Sequence, residues 1–257
     1  MAVEVRLIPC LSDNYAVLVH EPESKTTALV DAPEAAPILN ALANEGWALT
    51  HILITHHHPD HVQGIKEIRA KYPVPVYGPR AEADRIPDIS VKLGHLDVAE
   101  VGPLRAEIID TPGHTAGHIV YHFPKEQLLF AGDTLFTLGC GRPFERPAEV
   151  LWQSLLKLRE LPPETQVYSG HEYTLGNAKF SVTVDPGNTQ LKERLKQIEA
   201  LRAEDKPTVP STMEEEIATN PFMRADNPAV QEAIGMKGAD AGAVFTQLRE
   251  LKNNFKG

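Results

Sequence analysis

The chain has 257 residues, is 42% apolar and carries a formal net charge of −10. That length suits one large domain, or a large and a small one, with enough apolar side chain for a sizeable core. The acidic balance argues against nucleic acid as the main partner, because phosphate binding needs a basic face, but it leaves room for a small anionic ligand at a local patch.

Cys10 and Cys140 are the only cysteines, too few for a disulfide framework. The opening MAVEVRLIPC lacks the basic and apolar regions of a signal peptide, and no apolar run approaches a membrane span. A cytoplasmic protein without membrane association is expected.

In chain order, VEVRL alternates apolar and polar residues as a half-buried strand does, and AVLVH and TTALVDAP follow after turn signals. Residues 34–46 are rich in Ala and Leu and read as a helix closed by Gly46. HILIT suits a short buried strand, and VPVYGP, AEIIDTPG, HIVYHF and QLLFAGD read as further strands between turns. In 152–161, Trp152, Leu155, Leu156 and Arg159 share a helical face, and TQVYSG returns to a strand. From about 175 onward the pattern predicts no strands. Leu191, Leu195, Ile198 and Leu201 recur at helical spacing, as do Phe245, Leu248, Leu251 and Phe255, while 206–212 reads as a loop. The expected division is a mixed α/β domain over 1–173 and a smaller helical domain over 174–257.

Directly after HILIT stands THHHPDHVQG, with four histidines and an aspartate within positions 55–61. In an extended segment side chains two apart point the same way, so His56 and His58 can grip one ion while His57 faces elsewhere. Pro59 ends the extension and redirects Asp60 and His61. Downstream, TPGHTAGH, AGDT and YSGHEYT each place a His or Asp after a short apolar run and a glycine turn. A carboxylate can bridge two ions, and Gly132 beside Asp133 permits close backbone approach. The assignment is His56, His58 and His114 on one ion, Asp60, His61 and His171 on a second, and Asp133 shared. A lone histidine at a strand end is usually a surface or satisfied core residue; the spaced set is what points to metal. His20, His51, His95 and His122 keep that bland reading. His57 is expected to pack or hydrogen-bond, and His118 is a candidate to orient His114.

The pattern H-x-H-x-D-H with separate His, Asp and His resembles the metallo-β-lactamase superfamily. That resemblance implies a four-layer αββα sandwich with the metals at one edge of the two sheets. LFTLGCGRPFE, YSGHEYTLGNAKF, VDPGN and NPFMR are similar to the glyoxalase II family, the hydroxyacylglutathione hydrolases. The likeness covers almost the whole chain, including the C-terminal helical part that carries half of the glutathione site in that family. It implies that Tyr173, Arg249 and Lys252 hold the glycine end of glutathione and that Arg142 contacts its peptide backbone. Phe144 stands where some members carry a tyrosine, which removes one hydroxyl contact. Residues 80–100 offer little to compare.

The resemblance implies hydrolysis of S-D-lactoylglutathione to D-lactate and glutathione, as in methylglyoxal detoxification. Two divalent ions, zinc first with iron or manganese as alternatives, would supply a bridging hydroxide; Asp60 and Asp133 are the protein groups closest to the chemistry. The expected partners are the S-acylglutathione substrate and glutathione, with the chain a monomer. The rival enzyme is a glutathione persulfide dioxygenase with a single iron, and the non-enzymatic alternative is a metal-binding protein that keeps only the fold.

Overall fold

The computed structural model describes residues 3–256. Its first sheet is built in chain order from β1 (Glu4–Cys10), β2 (Asn14–Glu21), β3 (Thr26–Val30), β4 (His51–Leu53), β5 (Val76–Pro79) and β6 (Ile89–Leu93). β1, β2 and β3 pair antiparallel; β3 through β6 run parallel. Parallel neighbours need crossovers: α1 (Ala35–Glu45) links β3 to β4, α2 (Pro59–Val62) and α3 (Ile65–Lys71) link β4 to β5, and a 3-10 segment over Arg80–Arg85 links β5 to β6. α1 ends on Gly46 at φ 70°, a left-handed cap that glycine adopts without strain.

The second sheet contains β7 (Val98–Val101), β8 (Leu104–Asp110), β9 (Ile119–Phe123) and β10 (Leu128–Gly132). β11 (Leu135–Phe136) and β12 (Gly139–Cys140) form a separate hairpin, and α4 (Ala148–Arg159) leads to β13 (Gln166–Ser169), parallel to β10. Then come α5 (Thr174–Val184) and α6 (Thr189–Ala203). The stretch expected to hold no strands does hold one. β14 (Ser211–Thr212) pairs antiparallel with β13 and closes the edge of the second sheet. Two residues are too short to show any period, which is why the pattern missed it. α7 (Met213–Thr219), α8 (Pro228–Ala233) and α9 (Ala241–Asn254) complete the described chain.

Strand alternation builds the layers. Val17 and Val19 of β2 face a core shared with Ile108, Tyr121 and Phe130 of the second sheet. Ala16 and Leu18 point the other way, onto Ile38 and Leu42 of α1 and Ile65 of α3. On the far side, Val120, Leu129 and Val167 pack against Leu151 and Leu155 of α4 and Phe245 and Leu248 of α9. The order is therefore helices, sheet, sheet, helices: the four-layer αββα sandwich with a helical C-terminal part. That C-terminal part shares its core with the second sheet rather than standing off from it.

The topology also sets where the ligands emerge. β8 and β10 are both antiparallel to β9, and β13 is parallel to β10. Their C-terminal ends therefore lie at one edge. The exit of β4 joins them where Ile119 N–H donates to Thr55 O at 3.0 Å.

Candidate metal centre and substrate cavity

All seven predicted ligand residues converge at this edge. His58 Nδ1 lies 3.1 Å from His56 Nε2 and 3.0 Å from His114 Nε2. Tetrahedral coordination at Zn–N distances of about 2.0–2.1 Å spaces nitrogens roughly 3.3 Å apart, so these three nitrogens are positioned for one small cation. On the other side, Asp60 Oδ2 stands 3.4 Å from His171 Nε2 and 3.8 Å from His61 Nε2. Asp133 reaches both groups. Its Oδ1 is 3.4 Å from His61 Nε2, and its Oδ2 is 3.3 Å from His114 Nε2 and 3.4 Å from His171 Nε2.

Hydrogen bonding fits a cation too. Buried His61 Nε2 and Asp133 Oδ1 face each other without a hydrogen-bond partner among the described residues. Unpaired buried polar atoms are costly, and a metal satisfies both. The outer nitrogens are fixed: His61 Nδ1 by Asp31 Oδ2 at 2.8 Å, His171 Nδ1 by Asp13 Oδ1 at 2.8 Å, and His114 Nδ1 by Arg142 O at 2.9 Å. Each such partner selects the tautomer that turns the other nitrogen inward.

The two halves differ electrically. Burial and the adjacent His114 push His58 down to about 4, and burial with neighbouring imidazoles holds His56 well below its ordinary value. These are neutral donors with free lone pairs. His61 is raised to about 9 because Asp133 and Asp31 outweigh its burial, and His171 is raised, against burial, by Asp133. Burial opposes ionisation of Asp133, but His61 and His171 hold it ionised far below the carboxylate range. This half is a carboxylate-rich pocket that stabilises positive charge.

His57 turns away from the cluster. Its backbone N–H and its Nδ1 both meet Glu82 Oε2, at 2.8 and 2.7 Å, and Glu82 Oε1 accepts Gly117 N–H at 2.9 Å. Buried Glu82 thus ties two ligand loops together. His118 contacts a different ligand from the expected one: its Nε2 accepts the backbone N–H of Asp133 at 3.1 Å. Sequence reasoning did not single out Asp13, Asp31 or Glu82. Only hindsight finds Asp31 in TTALVDAP, at the end of an apolar run like Asp133.

A cavity of about 600 Å³ opens over the cluster, with His58, Asp60, His114, Asp133 and His171 at its floor. Arg142, Tyr173, Arg249 and Lys252, the four residues expected to hold glutathione, all line it. Tyr173 stacks on His171 with ring centroids 4.7 Å apart. Phe144 is 63% exposed at the mouth, its ring 5.3 Å from that of His114. Arg249 is 5% exposed and makes no ion pair among the described residues. Lys252 donates to Gly176 O at 2.8 Å, and burial with Arg249 and Arg142 nearby pushes its ammonium down to about 8.

Known proteins resemble this chain along nearly its whole length. Residues 13–171 match the metallo-beta-lactamase superfamily model, and residues 172–255 match that of the hydroxyacylglutathione hydrolase C-terminus. A hydroxyacylglutathione hydrolase of Rhodopseudomonas palustris strain CGA009 is 51% identical over 254 residues, spanning 99% of this chain and all of that protein. One from Mesorhizobium japonicum is 50% identical over 255 residues, again 99% of this chain and all of the relative. Among solved structures, ETHE1 from Myxococcus xanthus superposes with a TM-score of 0.71 over all of this chain and 93% of that one, at 24% identity, a likeness of fold alone. The chain therefore belongs to the hydroxyacylglutathione hydrolase (glyoxalase II) family of the metallo-beta-lactamase superfamily.

Proposed function

We propose that this chain hydrolyses the thioester of S-D-lactoylglutathione to D-lactate and glutathione. The observation that carries the reading is a cavity that opens on a cluster of seven His/Asp donors, five of them lining it, and that Arg142, Arg249 and Lys252 make cationic elsewhere. His56, His58 and His114 would hold one divalent ion, Asp60, His61 and His171 a second, and Asp133 both, with zinc the first choice and iron or manganese the alternatives. Bound there, such ions supply Lewis acidity and a water acidic enough to act as nucleophile near neutral pH.

The chain's own groups do the rest. Arg249 and Lys252 pair with the glycine carboxylate, Tyr173 closes that end, and Arg142 meets the peptide backbone. Their local attraction outweighs the net negative charge because exposed charges beyond about 8–10 Å are screened. Holding the thioester carbonyl over the donor floor makes attack effectively intramolecular. Asp60, which lines the cavity, would accept a proton at a carboxylate oxygen as the tetrahedral species collapses. A thiolate leaves readily, so no strong general acid is required.

On this reading residues 1–173 form the metal-bearing domain and 174–257 the helical domain contributing Arg249 and Lys252, in a cytoplasmic monomer. No helix among the described residues is long and apolar enough to cross a membrane. Elemental analysis joined to a thioester assay tests the proposal. Two ions per chain and a preference for S-D-lactoylglutathione over a non-glutathione thioester support it. One iron with no thioester hydrolysis, or no metal at all, refutes it.

A further inference from the structure

The NPFMR segment, residues 220–224, lies outside the donor cluster and the cavity lining, yet Phe222 meets Arg249 directly and Asn220 braces the hairpin that Arg249 hydrogen-bonds. Fully buried Asn220 donates through Nδ2 to Phe136 O at 3.3 Å and Gly139 O at 3.0 Å, gripping both strands of the β11–β12 hairpin. The same amide meets Glu216 Oε2 at 2.9 Å, and Leu138 N–H donates to that oxygen at 2.9 Å. The next hairpin residue, Cys140, offers its carbonyl to Arg249 NH1 at 3.1 Å. Phe222, held through its N–H by Asn220 Oδ1 at 3.0 Å, places its ring 4.9 Å from the Arg249 guanidinium carbon. Asn253 Oδ1 takes NH2 at 2.8 Å, while Nε is buried without a partner among the described residues.

We propose that NPFMR is the socket of Arg249: Asn220 sets the hairpin carbonyl that aims the guanidinium, Phe222 supports its face, and together they preorganise it for the glycine carboxylate. This rests on the reading that Arg249 binds that carboxylate. An arginine side chain carries substantial rotamer freedom, and freezing it before the ligand arrives removes that cost from binding. The aromatic face stabilises the buried cation while the site is empty. Asn220 and Phe222 are positioning residues; neither touches the reacting atoms.

The test compares S-D-lactoylglutathione with the same thioester amidated at the glycine carboxylate. Phe222→Leu removes the aromatic face but keeps an apolar side chain. It should raise KM for the carboxylate substrate about three- to tenfold while kcat falls less, and leave KM for the amidated substrate at the parent value. Calorimetric titration with glutathione should show the same loss of affinity. Equal effects on both substrates, or a loss confined to kcat, overturn the socket. Should Phe222→Leu melt at the assay temperature, Phe222→Met is the replacement, since it fills more of the volume without a ring. Arg249→Ala separates the two claims. If it leaves the ratio of the two KM values unchanged, the carboxylate reading itself falls. If it abolishes that ratio and Phe222→Leu does not reduce it, only the socket falls.

Discussion

Asp13 and His171, 158 residues apart in sequence, meet through a 2.8 Å hydrogen bond between Oδ1 and Nδ1. Asp13 sits in the turn between β1 and β2; His171 follows β13 of the other sheet. The bond aims His171 Nε2 at Asp60 and Asp133, so the first turn of the chain orients a ligand from its second half. Asp13→Ala should lower metal affinity about 10- to 100-fold, the usual cost of losing such a partner. Competition with a chelator reads this directly. Metal retained at parental chelator resistance would show that the turn has no part in the centre.

A Cβ on Gly170 would stand 2.6 Å from Asp133 Oδ1 and 2.8 Å from His61 Cε1. The backbone there cannot retreat: Gly170 N–H donates to Gly132 O at 2.9 Å, and its carbonyl accepts from Tyr15 N–H at 2.8 Å. The Asp133 carboxylate must therefore give way in Gly170→Ala. The expected result is reduced metal content and about 100-fold lower kcat with the circular dichroism spectrum kept, because small misplacements of reacting groups are expensive. Full metal content with parental turnover would mean that Asp133 does not need its observed position.

These partners mark where sequence reading stops. The seven candidate donors were legible from local signals: four crowd directly after the apolar run HILIT, and His114, Asp133 and His171 each follow a short apolar run and a glycine turn. The partners Asp13, Asp31 and Glu82 were not, because an acidic residue in a turn looks solvated until a distant strand arrives beside it. α5 escaped for another reason. Its buried residues, from Thr174 and Asn177 through Phe180 and Val184, mix small polar with apolar side chains and leave no clean stripe. β6 and β7 are edge strands of only five and four residues, too brief for their alternation to single them out, and they are fixed by pairing with β5 and β8.

Lys252 gives a pH dependence whose direction follows from its surroundings. Burial, with Arg249 and Arg142 nearby, lowers its ammonium to about 8. The charged form prevails below that value and is lost above it, so attraction for the substrate carboxylate weakens as pH rises. On the assigned roles, kcat/KM should bend downward above about pH 8, and Lys252→Arg should remove that bend because guanidinium stays charged. Rate profiles of both proteins from pH 6 to 10 decide it (roughly the span around an ordinary to depressed lysine). A bend that persists unchanged in Lys252→Arg would assign the titration to another group.

Glu216 and Arg194 make the most fully buried arginine–carboxylate pair among the described residues. Arg194 NH2 lies 2.6 Å from Glu216 Oε1, with the Glu216 side chain fully buried and that of Arg194 9% exposed. Glu216 also accepts from Leu138 N–H and Asn220, so one carboxylate joins α6, α7 and the β11–β12 hairpin. Removing it leaves a buried guanidinium balanced only by the half-exposed Glu215 carboxylate 3.8 Å from NH2, and a buried N–H unpaired. Glu216→Ala should therefore cost about 3–5 kcal/mol in urea unfolding. Arg194→Met combined with Glu216→Leu should recover part of this, because an apolar pair removes the stranded charge, though Leu138 N–H stays unsatisfied. Equal loss in the single and double variants would place the energy in the hairpin hydrogen bonds rather than the ion pair. A loss below about 1 kcal/mol would put this pair with exposed surface pairs, against its burial.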